Sequence, residues 1–591
     1  MFFGSFVLVI THLFGFFIIH SVFRKKIRFF ELIGCSFPIG LLIISFVGLI
    51  SSSIFGNGRV NLLFCCVFAL FCSIFMIIKS KFQDISITLV PSRFFALFVI
   101  FIAFLVYISY ISIFSHPNKL ISTAENDMLF EISLVSSFVV GSNIKSSIFN
   151  GINNPLISNN TVKSEFIVPY FISLLRVSGM SLQMSYLVPT VLLIISICVL
   201  GYSITYRIYN SEIASIISVP SIFFAAGFGF LSYPSDQSFK NSYADFVFII
   251  GNGIYNPWGH ELLHCLITSR TVLFSMSLSL ITYLSLELNN DIFSGFLVFS
   301  SSIVHAQLSI PLLFIYIFYK TRDIGFRILY FLVPTFLFYQ LCDINVDYGI
   351  LFQIDSTRFP FLRFLWYTIG IIPLGLVFSF IYEPKLAILS SAFSFIAICF
   401  VSFQKEHRFN FFSYNASVLP LFSVFSAGGF VKFVQRWKSR SAKGFFKVIT
   451  AILVLSMWLS SVIGTLNRYN QKFNCWQRGH EEVTEWILNN TEIDSVFHSI
   501  MVSGWSPAIS KAGRIGFVPN SQALQFLSYS NSDRAGEFQN WLNNRTSNIS
   551  IDYILIEKKA LKDATVDTQL QNKCEIVFTN KYFMVYRNIF K

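Results

Sequence analysis

The sequence predicts a polytopic α-helical membrane protein of about 14 spans that ends in a water-soluble α/β domain outside the cytoplasm. Three observations predict it. Hydrophobic residues fill 54% of the 591 positions and charged residues only 12%, at a mean hydropathy of +0.65, so lipid is the main solvent. The apolar residues, 72 phenylalanines among them, fall into runs of roughly 20, the length at which a helix covers about 30 Å of hydrocarbon. At Leu466 the runs stop, and the last 126 residues carry 26 charged side chains, about twice the density of the rest.

Spans are expected near 1–20, 29–50, 60–78, 95–114, 185–206, 213–231, 271–288, 292–304, 307–320, 327–342, 363–382, 385–402, 414–431 and 447–465. The first lacks a basic leader and a small-residue cleavage site, so it reads as a retained anchor. Basic clusters set the sides. Arg24, Lys25, Lys26 and Arg28 follow the first span, and Lys79, Lys81 and Arg93 follow the third. Lys320, Arg322 and Arg327 lie between later spans, and Lys432, Arg436, Lys438, Arg440, Lys443 and Lys447 precede the last. The positive-inside rule places these loops in the cytoplasm. The N-terminus, the loops 115–184, 232–270, 341–362 and 403–413, and the tail then lie outside. The formal charge of +13 is therefore topological. The last 126 residues hold 14 Lys+Arg and 12 Asp+Glu, a net +2 that leaves +11 in the membrane part, and no nucleic-acid partner is implied. Sequons begin at Asn159, Asn415, Asn489, Asn544 and Asn548, all outside or at the outer membrane edge, as glycosylation requires.

In the tail, "GHEEVTEWILNN" and "DRAGEFQNWLNN" have the pattern of amphipathic helices. "DSVFHSI", "AGRIGFV", "IDYILIEKK", "CEIVFTN" and "YFMVYRNI" have the β-branched and aromatic character of strands. Eight of the ten cysteines lie in or beside apolar spans, where a thiol behaves as a small hydrophobe. Cys475 and Cys574 are the two in the tail, and in an oxidising compartment they are expected to form a disulfide, with two unpaired thiols as the alternative.

Chemistry is sought where polar residues meet the outer interface. After the fourth span, "ENDMLFEISL" carries Glu125, Asp127 and Glu131; on a helix Asp127 and Glu131 share one face, and a carboxylate there is suited to take a proton from an acceptor hydroxyl. Ordinary acids in a solvated loop are the competing reading. The cationic candidates are Arg270, His305, Lys405, His407 and Arg408. Guanidinium groups offer paired hydrogen bonds to phosphate, although long basic side chains also snorkel routinely. His305 interrupts an apolar stretch and needs a partner or a cavity. His260, Glu261 and His264 form a literal H-E-x-x-H, a zinc-protease pattern, but no recognisable third ligand accompanies it.

The order of these pieces resembles the GT-C class of integral membrane glycosyltransferases, which take sugars from polyprenyl-phosphate carriers. "ENDMLFEISLVSSFVVG" followed by "EFIVPYFISLLRVSG" is similar to the outer acidic loop and the amphipathic segment after it. "NPWGHELLHCLITSRTVLFSMSL" resembles an interfacial segment entering a span with an Arg, and "SGFLVFSSSIVHAQLSIPLLF" resembles paired short spans around a His. In the class the acidic loop usually follows the first span, whereas here it follows the fourth. Residues 1–94 are accordingly read as extra membrane helices, 95–465 as the GT-C-like core with lumenal loops, and 466–591 as the lumenal α/β domain. The Trp-Trp-Asp signature of oligosaccharyltransferases is absent from the sequence.

The resemblance implies an inverting transferase that moves one sugar from a dolichyl- or other polyprenyl-phosphate to an acceptor on the lumenal side. Asp127 would be the base and Glu131 its neighbour or a metal ligand. Arg270, His305, His407 and Arg408 would hold the carrier phosphate. A divalent cation is compatible with this set, and no residue pattern requires one. If the source is a eukaryote, the setting implied is the endoplasmic reticulum or another secretory membrane. A transporter or non-enzymatic scaffold, and a zinc protease, are the alternatives.

Overall fold

A computed structural model describes residues 2–80, 92–114, 121–122, 126–162, 165–224, 270–304, 312–313, 315–317, 372–382, 419–437, 441, 444–455, 458, 473–476, 479–501, 505–517, 532–543, 549–560 and 569–589. The membrane part runs α1 (Phe2–Phe23), α2 (Phe29–Phe55), α3 (Arg59–Ser80), α4 (Arg93–Ile113), β1 (Ile121–Ser122), α5 (Asn126–Val140), α6 (Ile167–Val177), α7 (Leu182–Tyr209), α8 (Glu212–Phe224), α9 (Arg270–Glu287), α10 (Asp291–Val304), α11 (Ile372–Tyr382), α12 (Leu419–Gln435) and α13 (Gly444–Leu455). Among the described residues four helices are long and apolar enough to cross a membrane: Phe3–Phe23, Phe29–Phe55, Arg59–Lys79 and Leu182–Tyr209.

Many of the buried hydroxyls in these helices are satisfied locally. The hydroxyls of Thr11, Ser36 and Ser73 donate to the carbonyls of Val7, Leu32 and Ala69 one turn back, at 2.8, 2.6 and 2.7 Å, so each is satisfied within its own helix. The outer faces are apolar instead: Phe71 and Ile78 of α3 and Phe94 of α4 are at least 70% exposed, the arrangement a lipid solvent favours. The α1 and α2 backbones touch. A Cβ on Gly15 would strike the Ser36 carbonyl and one on Gly40 the Thr11 carbonyl, so only glycine permits this crossing.

The two ends of the bundle differ. At one end the basic turn after α1 meets Arg207 and the turn between α9 and α10: Arg207 Nε donates to Glu31 at 2.7 Å, and Lys26 Nζ to the Leu288 carbonyl at 3.5 Å. At the other end Asn57 Nδ2 donates to the Phe138 carbonyl at 3.0 Å and to Ser173 Oγ at 2.8 Å. Glu165 N–H donates there to the Val304 carbonyl at 3.0 Å. The second end carries the tail domain.

That domain comprises β2 (Phe473–Asn474), α14 (His480–Asn490), β3 (Val496–Ile500), α15 (Pro507–Ser510), β4 (Ile515–Gly516), α16 (Ser532–Asn543), β5 (Tyr553–Glu557), β6 (Cys574–Thr579) and β7 (Phe583–Asn588). Five strands form one sheet in the order β4-β3-β5-β7-β6, with β3 parallel to β4 and β5, and β7 antiparallel to β5 and β6. Strand alternation divides the core between two faces. Leu555, Phe583 and Val585 pack with Val483 and Ile487 of α14, whereas Ile554, Ile556 and Tyr586 pack with Phe538, Trp541 and Leu542 of α16. The domain is tied to the bundle by β1 pairing with β2. Further ties are Gly516 N–H to the Pro155 carbonyl at 2.8 Å and Ser158 N–H to the Gly516 carbonyl at 2.7 Å.

The expected disulfide is corrected by this arrangement. Cys475 and Cys574 are not joined. Cys475 lies with Trp476 and Trp505 in the apolar cluster that continues into the membrane helices. Cys574 opens β6 and packs in the cluster of Phe538 and Trp541. The two thiols thus belong to different cores, and burial pushes that of Cys574 up to about 11, which disfavours the thiolate that oxidation needs.

Candidate functional site

The helix expected around Asp127 and Glu131 exists as α5, so the two acids are one turn apart on it. The Asp127 side chain lies outside the described residues. Glu131 is 4% exposed and points to the first residue of α9, Arg270, which is fully buried. One carboxylate oxygen, Oε2, accepts from Arg270 Nε at 2.6 Å and pairs with Nη2; the other, Oε1, accepts from the Arg270 backbone N–H at 3.1 Å and Thr271 Oγ1 at 3.4 Å. The ring of Tyr186, on α7, stacks against the guanidinium with its centroid 4.3 Å away. A helix N-terminus with an arginine on its first residue is a place for an anion, and here the anion is the Glu131 carboxylate.

A third acid completes the cluster. Glu165 lies just before α6, and its backbone is left-handed at φ 70°, a conformation held only where the surroundings impose it. Its N–H bonds to the Ile303 and Val304 carbonyls, at 3.3 and 3.0 Å, fix it to the end of α10, directly before His305 in the chain. Burial, then the nearby charge of Glu131, pushes its carboxyl up to about 7, so near neutral pH it exchanges a proton readily. Burial also raises Glu131, and the Arg270 guanidinium opposes the rise.

The structure therefore brings together Glu131 and Arg270 from the expected set, with Asp127 on the same helix. His305, Lys405, His407 and Arg408 lie outside the described residues, as do His260, Glu261 and His264 and the sequons at Asn415, Asn544 and Asn548. Asn159 and Asn489 are exposed. Among the described residues no three His, Cys, Asp or Glu side chains are grouped as a metal site. Glu165 and Tyr186 were not legible as site residues. One signal was available: Glu165 is the sole acid between Glu131 and Glu212.

Fold and site together define an integral membrane protein with a buried charged cluster at the end of the helix bundle that carries the tail domain. No family model matches the chain, and no curated protein matches it. Solved structures similar to it include these two. One is the archaeal oligosaccharyltransferase AglB from Archaeoglobus fulgidus in complex with an inhibitory peptide and a dolichol-phosphate, with 10% identity and a TM-score of 0.40 over 79% of this chain and 70% of that one. The other is ArnT from Cupriavidus metallidurans in the apo state, with 10% identity and a TM-score of 0.44 over 84% of this chain and 98% of that one.

Proposed function

We propose that the chain is a membrane transferase that moves one sugar from a polyprenyl- or dolichyl-phosphate donor to an acceptor on the outer side of a secretory membrane. The observation that carries this reading is the buried Glu131–Arg270 pair. A buried ion pair is no more stabilising than well-packed apolar residues of similar volume, and ionisable groups in a membrane-protein interior are functional by default. In this reading Arg270 and the N-terminus of α9 receive the donor phosphate, and Glu131 keeps the guanidinium oriented. Asp127 takes the proton of the acceptor hydroxyl as its oxygen bonds to the anomeric carbon. The bond from that carbon to the phosphate oxygen breaks with inversion, and the charge left on the polyprenyl phosphate is stabilised by Arg270, with His305, His407 and Arg408 as further donors. Glu165 is a second proton-exchanging group, beside Glu131.

The test uses the full chain in nanodiscs with a panel of polyprenyl-phosphate sugars labelled in the sugar. Asp127→Ala is expected to abolish transfer at unchanged protein level, and Arg270→Lys to weaken donor use by about tenfold or more, because the paired hydrogen bonds of the guanidinium are lost. Undiminished transfer by Asp127→Ala would sink the assignment.

A further inference from the structure

The end of the bundle opposite the tail domain holds a cavity of about 370 Å³ between the end of α1 (Val22, Phe23), the turn after it (Arg24, Lys26) and the α9–α10 turn (Leu288, Asn289, Asn290). Its lining combines apolar, cationic and amide side chains. The positive-inside rule accounts for basic residues at this end, but it does not account for their conformation. Arg24 is a non-glycine residue held left-handed at φ 47°, where glycine or asparagine is the inexpensive choice. Its side chain is exposed, and among the described residues neither Arg24 nor Lys26 has a carboxylate partner.

The neighbouring charges leave those two cations available. Arg207 occupies Glu31, with Nη2 to Oε2 at 2.5 Å, and braces the turn by donating to the Lys26 carbonyl at 3.2 Å. Glu287 accepts from the Tyr283 hydroxyl at 2.7 Å, and Asp291 opens α10. The same turn carries Arg28, whose Nη1 is buried without a hydrogen-bond partner. A braced basic turn beside apolar side chains, on the side the positive-inside rule assigns to the cytoplasm, matches one ligand chemistry. We propose that this cavity binds the phosphate headgroup of an anionic membrane lipid, with Arg24 and Lys26 on the phosphate and Val22, Phe23 and Leu288 against the glycerol and first methylenes.

Glycine suits the Arg24 backbone better than arginine does, so Arg24→Gly removes the charge without cost to the fold. The full chain is reconstituted with phosphatidylcholine alone or with added phosphatidic acid, and retained lipid is counted by native mass spectrometry. Preferential retention of phosphatidic acid is expected, falling about tenfold or more in Arg24→Gly and in Lys26→Gln, with thermal stability of Arg24→Gly equal to or above wild type. Equal retention of both lipids, or unchanged retention in both variants, would overturn the proposal. Displacement of the lipid by inorganic phosphate would assign the site to the soluble anion and overturn the lipid assignment as well.

Discussion

At the scale of single residues the molecule buries charge in two opposite ways. Glu131 and Arg270 are buried as ions because each satisfies the other, and removing either alone strands a charge, at about 3–5 kcal/mol. His498 is buried as a neutral ring. Phe538 lies against it with ring centroids 3.9 Å apart, and its Nδ1 is buried without a hydrogen-bond partner. Burial lowers His498 from 6.5 to about 4. Burial, then the charge of Lys511, lowers His480 to about 3. In the unfolded chain both rings take up protons as the pH falls through 6.5, whereas the folded domain takes them up only below about 4. Their stabilisation is therefore complete above 6.5 and is lost progressively as the pH falls toward 4, on the order of 3 kcal/mol for His498. Protection factors over 496–500 in the full chain, corrected for the intrinsic slowing of exchange toward acid, are expected to fall between pH 7 and pH 5, and His498→Phe to flatten that dependence. Identical protection at both pH values in the wild type would refute the burial argument.

At the scale of elements, what was legible followed from periodicity and what was not followed from packing. The runs around 29–50 and 60–78 appear as α2 and α3, and all five tail segments read as strands are strands, because apolar length and alternation are local properties. The failed disulfide shows the limit. Cys475 and Cys574 were the only two cysteines in the tail, yet which core each side chain joins depends on how the sheet docks, and spacing does not encode that. The same holds for Glu165, whose place beside Glu131 comes from a left-handed backbone tied to the far helix α10. The α1–α2 crossing offers a direct check. Gly40→Val would drive a branched side chain into the Thr11 carbonyl, so overpacking of about 1–3 kcal/mol is expected, read as a lower melting temperature in detergent. An unchanged melting temperature would mean that the helices have room to separate.

At the scale of the whole molecule, the tail domain and the charged cluster share one helix. Asp127 and Glu131 lie in the first half of α5, and the domain grips the second half. Ser136 Oγ donates to the Ser510 carbonyl at 2.7 Å, Gly141 packs directly on the Gly513 backbone, and Ser142 N–H donates to the Gly513 carbonyl at 3.3 Å. Arg514, 2% exposed, crosses the boundary. Its Nη1 donates to the Val140 carbonyl that ends α5 at 3.1 Å, while Nε and Nη2 hold Thr491 after α14 at 3.0 and 3.1 Å. A planar fork with five donors can cap two helix ends at once; an ammonium cannot. If the domain sets the position of α5, Arg514→Lys should raise amide exchange over 134–140 while leaving the β5 strand protected, and transfer should fall through kcat rather than KM for the donor. Arg514→Ala should do the same more strongly, by about 1–3 kcal/mol for the acceptors left unpaired. Faster exchange in both segments together would mean general unfolding of the domain, and unchanged exchange over 134–140 would show that α5 holds its place without it.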